Sequence, residues 1–217
     1  MFAEWKQGMA VAGPKQERAL RTREVILHAA AEVFDECGYS GASISKIMQR
    51  SGATQGGMYF HFKSKEGLAH AVMASQQDFI RLPPGRDGLQ RLIDITFYIA
   101  AELRANVLFR ASVRLAVEQG EFGIEDDTAY QEWVRQFHAQ LVAARECGEL
   151  LDGVDEREFA TVLVGAYTGT QIFSNSATGR ADLPERVASL WRYLLPSLAA
   201  PRTVAGLRVG PVVGPAA

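Results

Sequence analysis

The chain has 217 residues, 47% of them hydrophobic and 22% charged, and a formal net charge of −2, a composition typical of a folded protein with a sizeable core. No apolar run approaches the roughly 18–20 residues needed to cross a bilayer. The two cysteines, Cys37 and Cys147, are too far apart in sequence for a CxxC zinc site and too few for a disulfide framework.

Charge is distributed unevenly. From Lys15 to Lys65 there are eight Lys/Arg against five Asp/Glu; from Glu66 onward there are fourteen Arg against nineteen Asp/Glu. A basic head on an acidic body fits a protein whose head alone meets phosphate. The opening Met1–Lys6 lacks the pattern of a signal peptide, and free cysteines suit a reducing compartment, so a cytoplasmic protein is expected.

Residues 1–14 carry little periodicity and are expected to be a disordered tail. In Arg21–Cys37, the residues Ile26, Ala30, Val33, Phe34 and Cys37 recur at helical spacing, and Gly38 supplies a stop. Ser43 is placed to cap a short helix through Ile44, Ile47 and Met48. The turn Ser51-Gly52-Ala53-Thr54 leads into a second short helix from Gln55 to about Phe62, with Thr54 as its cap. Ser64 would cap a longer helix, Lys65 to about Ile80.

Pro83-Pro84-Gly85 then punctuates the chain. Helices follow near 87–102, 106–118, 126–147, 155–175 and 184–198. Residues 201–217, rich in Gly and Pro, are expected to be a disordered tail. The expected fold is all-α, with a three-helix helix-turn-helix domain over 15–64 and a helical ligand-binding and dimerisation domain over 65–200.

Two short helices joined by a tight turn, behind a longer one, make a helix-turn-helix whose second helix enters the major groove. That helix, Gln55-Gly56-Gly57-Met58-Tyr59-Phe60-His61-Phe62, contains no acidic residue, as a phosphate field requires. Two consecutive glycines cost a helix roughly 1 kcal/mol each, a cost that makes sense if the backbone must approach DNA closely. Gln55 can read a base edge, Tyr59 can bond phosphate, and Arg21, Lys63 and Lys65 flank the helix. Phe60 and Phe62 are expected to face the three-helix core.

Over Arg21–Gly67 the chain resembles the DNA-binding domain of the tetracycline-repressor (TetR) family. The residues carrying the resemblance are Ile26-Leu27, Ala30, Val33-Phe34, Gly38-Tyr39, Ser51-Gly52-Ala53-Thr54, Gly56, Met58-Tyr59-Phe60-His61-Phe62, Lys65-Glu66 and Leu68. The resemblance implies a homodimeric repressor on a pseudo-palindromic double-stranded DNA operator, with Ser43, Thr54, Gln55, Gly57, Tyr59, His61 and Lys65 at the DNA. It departs from the family at Gln55, where lysine is common, and at Gly57, where an apolar residue is common.

Further on, Glu132-Trp133 and Val164 with Thr170 resemble the γ-butyrolactone receptor subgroup of actinomycetes, which controls antibiotic production. On that likeness Trp133 would line a ligand pocket, and Thr170 and Gln76 would hydrogen-bond a small signalling molecule of the γ-butyrolactone or furan type. Independently, Tyr130, Trp133, Phe137 and Leu141 share one helical face, as do Phe159, Leu163, Tyr167 and Thr170. Such faces suit either plain core or a mostly apolar pocket with few polar groups.

An arginine facing that pocket (Arg81, Arg110 or Arg114) would favour a carboxylate-bearing signal over a neutral lactone. The helices near 155–175 and 184–198 are the expected dimer interface, on the strength of Val162, Val164, Ile172, Leu190, Trp191, Leu194 and Leu195. Shifting the Lys65–Ile80 helix would carry the ligand signal to the head.

No catalytic constellation stands out. His28, His61, His70 and His138 have no HxxxH or HExxH spacing, and neither GxSxG, Walker nor GxGxxG loops occur. No metal, cofactor or membrane partner is expected. Two rivals stay open: a repressor responding to a drug or metabolite unrelated to hormone signalling, and an all-α small-molecule-binding enzyme.

Overall fold

A computed structural model describes residues 14–75, 85–123 and 127–211. Their helices are α1 (Pro14–Gly41), α2 (Ile44–Ser51), α3 (Gln55–His61), α4 (Lys65–Ala74), α5 (Leu89–Ala105), α6 (Val107–Glu118), α7 (Thr128–Glu146), α8 (Glu156–Thr178), α9 (Leu183–Leu198) and α10 (Pro201–Val204). A 3-10 turn, Gln119–Phe122, follows α6. The β pairing among these residues is one isolated bridge, Leu150 with Ala199. The fold is all-α, as expected. Among the described residues no helix is long and apolar enough to cross a membrane.

Short polar side chains start the helices where the sequence put them. Ser43, Thr54 and Ser64 accept hydrogen bonds from the amides of Lys46, Gly57 and Gly67, satisfying donors that have no partner inside the helix. Asn106 and Asp155 do the same for α6 and α8. At Gly38 the backbone turns sharply inside α1, with φ 71. A Cβ there would stand 2.7 Å from the Arg114 guanidinium and 2.9 Å from the Glu118 carboxylate, so glycine is needed both for the turn and for the close approach of α6.

Two apolar cores form. The head core joins Ile26, Val33 and Phe34 of α1 with Ile47, Met58, Phe62, Leu68 and Val72, and with Ala111 and Leu115 of α6. It therefore reaches past residue 64, taking in α4 and part of α6. The body core joins Leu92, Phe97, Phe109, Phe137, Leu141, Leu163, Tyr167 and Trp191 across α5 to α9. Each such large side chain contributes about 1.5–3 kcal/mol by leaving water.

Thr96 ties the body together: its hydroxyl accepts from Trp191 Nε1 at 2.8 Å, and its carbonyl accepts from the Tyr167 hydroxyl at 3.0 Å. Burial pushes the Tyr167 phenol far above its ordinary pKa, an effect the charge of Arg180 opposes.

Helix α6 serves both cores. Phe109, at one of its faces, is buried in the body, with Val113 packed against the same core. Ala111 and Leu115, on another, are buried in the head. A 3.6-residue period separates these two sets around one short helix.

Over the described residues 201–211 the chain packs on the body, where a disordered tail was expected. The α10 turn forms, the Arg208 amide donates to Gln90 Oε1 at 2.8 Å, and its guanidinium pairs with Asp94 at 3.0 Å. Leu207 and Val209 pack against the body core, so apolar contacts offset the high Gly and Pro content. Gln76, Arg81, Pro83 and Pro84 lie outside the described residues, as do the residues before Pro14.

Candidate DNA-reading head and ligand cavity

Helix α3 is seven residues long, and Met58 is the one buried along it. The opposite face is open: Gln55, Gly56, Tyr59 and Phe60 are exposed, and Lys63 follows just beyond. Phe62, by contrast, is buried, with the Arg23 guanidinium over its ring at 5.3 Å.

The expectation for Phe60 is corrected. It does not enter the core but is 78% exposed, its ring meeting His61 edge-on at 5.0 Å. Met58 already occupies the single inward position that so short a helix offers.

The glycine pair divides in role. A Cβ on Gly57 would meet the Thr54 hydroxyl at 3.3 Å, and Gly57 donates to that hydroxyl as part of the cap. A Cβ on Gly56 would meet nothing within 4 Å. Nothing inside the molecule requires glycine at 56, so its outward-facing backbone is the better match to a close external partner.

Ser43 and Thr54 spend their hydroxyl oxygens as caps at the starts of α2 and α3. Arg21 is exposed on α1. Lys65 lies over the Tyr39 ring at 4.2 Å, while the Tyr39 hydroxyl donates to Glu66 at 3.0 Å. Burial and Glu66 together push the Tyr39 phenol up to about 12.

From Tyr39 a polar chain runs into α6. The Tyr39 amide donates to Glu118 at 2.8 Å, Glu118 accepts from Arg114 at 2.6 Å, and Arg114 donates to the Asp35 carbonyl at 2.6 Å. Arg110 pairs with the Asp35 carboxylate at 2.9 Å. Two of the three arginines considered for the pocket, Arg110 and Arg114, are therefore bound to α1 instead, each held by an acceptor of the head.

Behind this junction lies a narrow cavity of about 50 Å³. Its walls are Ile99 and Leu103 of α5; Phe109, Val113, Ala116 and Val117 of α6; Ala129, Tyr130, Trp133 and Phe137 of α7; and Val164, Tyr167, Thr168 and Gln171 of α8. Four of the expected ligand residues, Tyr130, Trp133, Phe137 and Tyr167, thus come together. Trp133 and Phe137 sit with ring centres 5.9 Å apart, and burial raises the Tyr130 phenol.

Thr170 does not line the cavity. Its hydroxyl donates to the Ala166 carbonyl of its own helix at 2.7 Å. The inward stripe of α8 runs through Ala160, Leu163, Val164, Tyr167, Gln171 and Ser174, so a step of four from Tyr167, not three, reaches the cavity. The polar wall residues that the stripe reading missed are Thr168 and Gln171.

The residues expected at a dimer interface also divide. Val164, Trp191 and Leu195 are buried in their own core, whereas Val162 and Ile172 are exposed and Leu190 and Leu194 partly so. Phe173 and Tyr193, unremarked in the sequence, add to the open apolar surface of α8 and α9. Among the described residues no cluster of three or more ligating side chains could hold a metal.

Comparison with known proteins places both parts. Residues 26–72 match the bacterial regulatory proteins of the tetR family, and residues 86–200 match the tetracyclin repressor-like C-terminal domain. The A-factor receptor protein of Streptomyces griseus is 38% identical over 194 residues, covering 89% of this chain and 70% of that protein.

Among solved structures, full-length native TylP, a TetR regulator from Streptomyces fradiae, superposes with a TM-score of 0.77 at 43% identity, over 89% of this chain and 93% of its own. A γ-butyrolactone receptor described as ArpA-like superposes with a TM-score of 0.71 at 29% identity, over 86% and 92%.

Proposed function

The chain belongs to the tetR family of bacterial regulatory proteins, and from that premise we propose how its geometry turns ligand binding into release of DNA. The protein is a DNA-binding transcriptional repressor, not an enzyme. The proposed cycle is that of a homodimer, in the cytoplasm, that leaves a pseudo-palindromic operator when a small signalling molecule of the γ-butyrolactone or furan type enters the cavity. Control of antibiotic or other secondary-metabolite production would follow.

The observation that carries this reading is the double role of α6. Phe109, Val113, Ala116 and Val117 wall the cavity, while Ala111, Leu115, Arg110, Arg114 and Glu118 of the same helix hold α1 and Tyr39 of the head. Small-molecule sites typically span about 300–1,000 Å³, so a cavity of 50 Å³ must widen to admit an effector. Widening it separates α6 from α7, and α6 cannot move without taking the Asp35 and Tyr39 contacts with it. The effector thereby prefers a conformation in which the heads are displaced, which is what thermodynamic coupling demands. Coupling of about 1–3 kcal/mol would weaken operator binding 5–150-fold.

At the DNA, Gln55, Tyr59 and Phe60 would face the major groove, with Gly56 admitting the backbone. Arg21, Lys63 and Lys65 would supply phosphate contacts, and Ser43, Thr54, Gly57 and His61 would border the groove. Open apolar side chains at Val162, Ile172, Phe173 and Tyr193 favour α8 and α9 as the surface between two copies.

The deciding experiment is a mobility shift on DNA upstream of the protein's own gene, titrated with a synthetic γ-butyrolactone and with an alkyl furan carboxylic acid. Binding should be lost on adding one of them, and Trp133→Ala should bind DNA normally yet ignore it. Unchanged DNA affinity with both compounds, or a Trp133→Ala protein that responds as wild type, would overturn the reading.

A further inference from the structure

Arg180, in the turn between α8 and α9, combines features that seldom coincide. Its φ is 69°, in the left-handed region, where it is alone among the described non-glycine residues. It is 8% exposed, yet among the described residues it forms no ion pair, and its Nε has no hydrogen-bond partner. Backbone strain and an unpaired buried guanidinium persist only where the surroundings hold them, and they cluster at ligand sites.

The charge around it is unbalanced. Asp35 is the anion it senses, but that carboxylate is taken by Arg110 at 2.9 Å. Arg110 and Arg114 add two more positive charges nearby, and Glu118 is already held by Arg114. Burial lowers the Arg180 pKa, partly opposed by Asp35. Three guanidiniums thus share two carboxylates behind the cavity.

From Arg180 a hydrogen bond leads to the cavity wall: Nη2 donates to Gln171 Oε1 at 3.3 Å. Arginine has donors only, so it fixes the amide oxygen of Gln171 toward itself and leaves the amide nitrogen as a donor for the wall. The hydroxyls of the other polar wall residues on α8 are already engaged, Tyr167 on the Thr96 carbonyl and Thr168 on the Val164 carbonyl.

We propose that Gln171, oriented and electrically backed by Arg180, is the anion-selecting end of the cavity, so that the effector is an apolar molecule bearing a carboxylate. This rests on the reading of the cavity as the effector site. Gln171 touches the effector; Arg180 is a positioning residue acting through it.

The test uses the full chain and two probes, 4-phenylbutyrate and its methyl ester, with binding followed by isothermal titration calorimetry. The acid should bind at least tenfold more tightly than the ester. Arg180→Met should bring the two within threefold by weakening the acid alone, and Arg180→Lys should keep most of the preference. Gln171→Glu, which sets a carboxylate against Arg180 and needs no change in the strained turn, should reverse it.

Equal binding of acid and ester to the wild type would overturn this proposal while sparing the cavity. A preference surviving Gln171→Glu would do the same. If neither probe binds, the cavity reading fails and takes the proposal with it.

Discussion

Replacing Phe60 with alanine separates DNA reading from folding more cleanly than any other change in the head. A phenylalanine side chain offers about 150–250 Å², and at 78% exposure roughly 150 Å² of it is open in the free protein. If the groove covers half, about 75 Å² leaves water, worth about 2 kcal/mol at ~25 cal/mol per Å². That is roughly 30-fold per head, and on the order of a thousandfold for a dimer with two heads engaged.

The free protein should not notice. Exposed side chains away from caps and networks change stability by about 0.5 kcal/mol or less, and the main contact Phe60 makes is edge-on to His61. Fluorescence anisotropy on labelled operator at fixed salt, paired with thermal melting, measures both quantities. Met58→Ala is the internal contrast: two residues away but fully buried, it should lose about 2–5 kcal/mol of stability. Operator affinity of Phe60→Ala within threefold of wild type, at unchanged melting temperature, would refute the assignment of this face to DNA.

Two further changes probe the head and the α8–α9 turn. Gly56→Ala meets open space in a regular helix, so it should stabilise the protein by up to about 1 kcal/mol while weakening operator binding at least tenfold; undiminished binding would remove the case for close backbone approach. Asp182 accepts from Arg186 at 2.7 Å, Ser174 at 2.6 Å and Thr178 at 2.8 Å, and these partners hold its carboxyl far below its ordinary pKa, Arg186 most strongly. Its contribution to stability is therefore present above the unfolded value near 3.9 and is lost as pH falls toward the folded one. Melting temperature should drop below about pH 4 in the wild type and drop less steeply in Asp182→Asn; parallel curves would show that the cluster is not the source.

What the sequence made legible was local. Ser43, Thr54 and Ser64 announce helix starts because a short side-chain oxygen next to an apolar period has one obvious use, and all three are caps. Gly38 and Gly52 take the positive φ values their positions suggested. Side-chain direction was harder. In α3 two turns leave room for one inward residue, and the period alone does not say that Met58 takes it and Phe60 does not.

On α8 a count of three or of four from Tyr167 fits the apolar pattern equally well, and the choice between Thr170 and Gln171 is made by packing against α5, α6 and α7. Arg110 and Arg114 could be read as free cations only while the Asp35 carboxylate and carbonyl, 75 and 79 residues distant from them, were not yet beside them. Nothing in Thr178-Gly179-Arg180-Ala181 announces that the chain takes a second left-handed step after Gly179.

The shared helix α6 also has a consequence for how the molecule comes apart. Ala111 and Leu115 complete the buried cluster to which Phe34, Leu68 and Val72 belong, and Phe109 is a buried ring of the body core. The head core is completed only by Ala111 and Leu115 of a helix that also belongs to the body, so melting of the body removes the support of the head. Head and body should therefore unfold in one cooperative transition, and the stability of the DNA-reading surface is set in part by packing around the effector cavity. An effector that tightens or loosens that packing acts on the durability of the head as well as on its position.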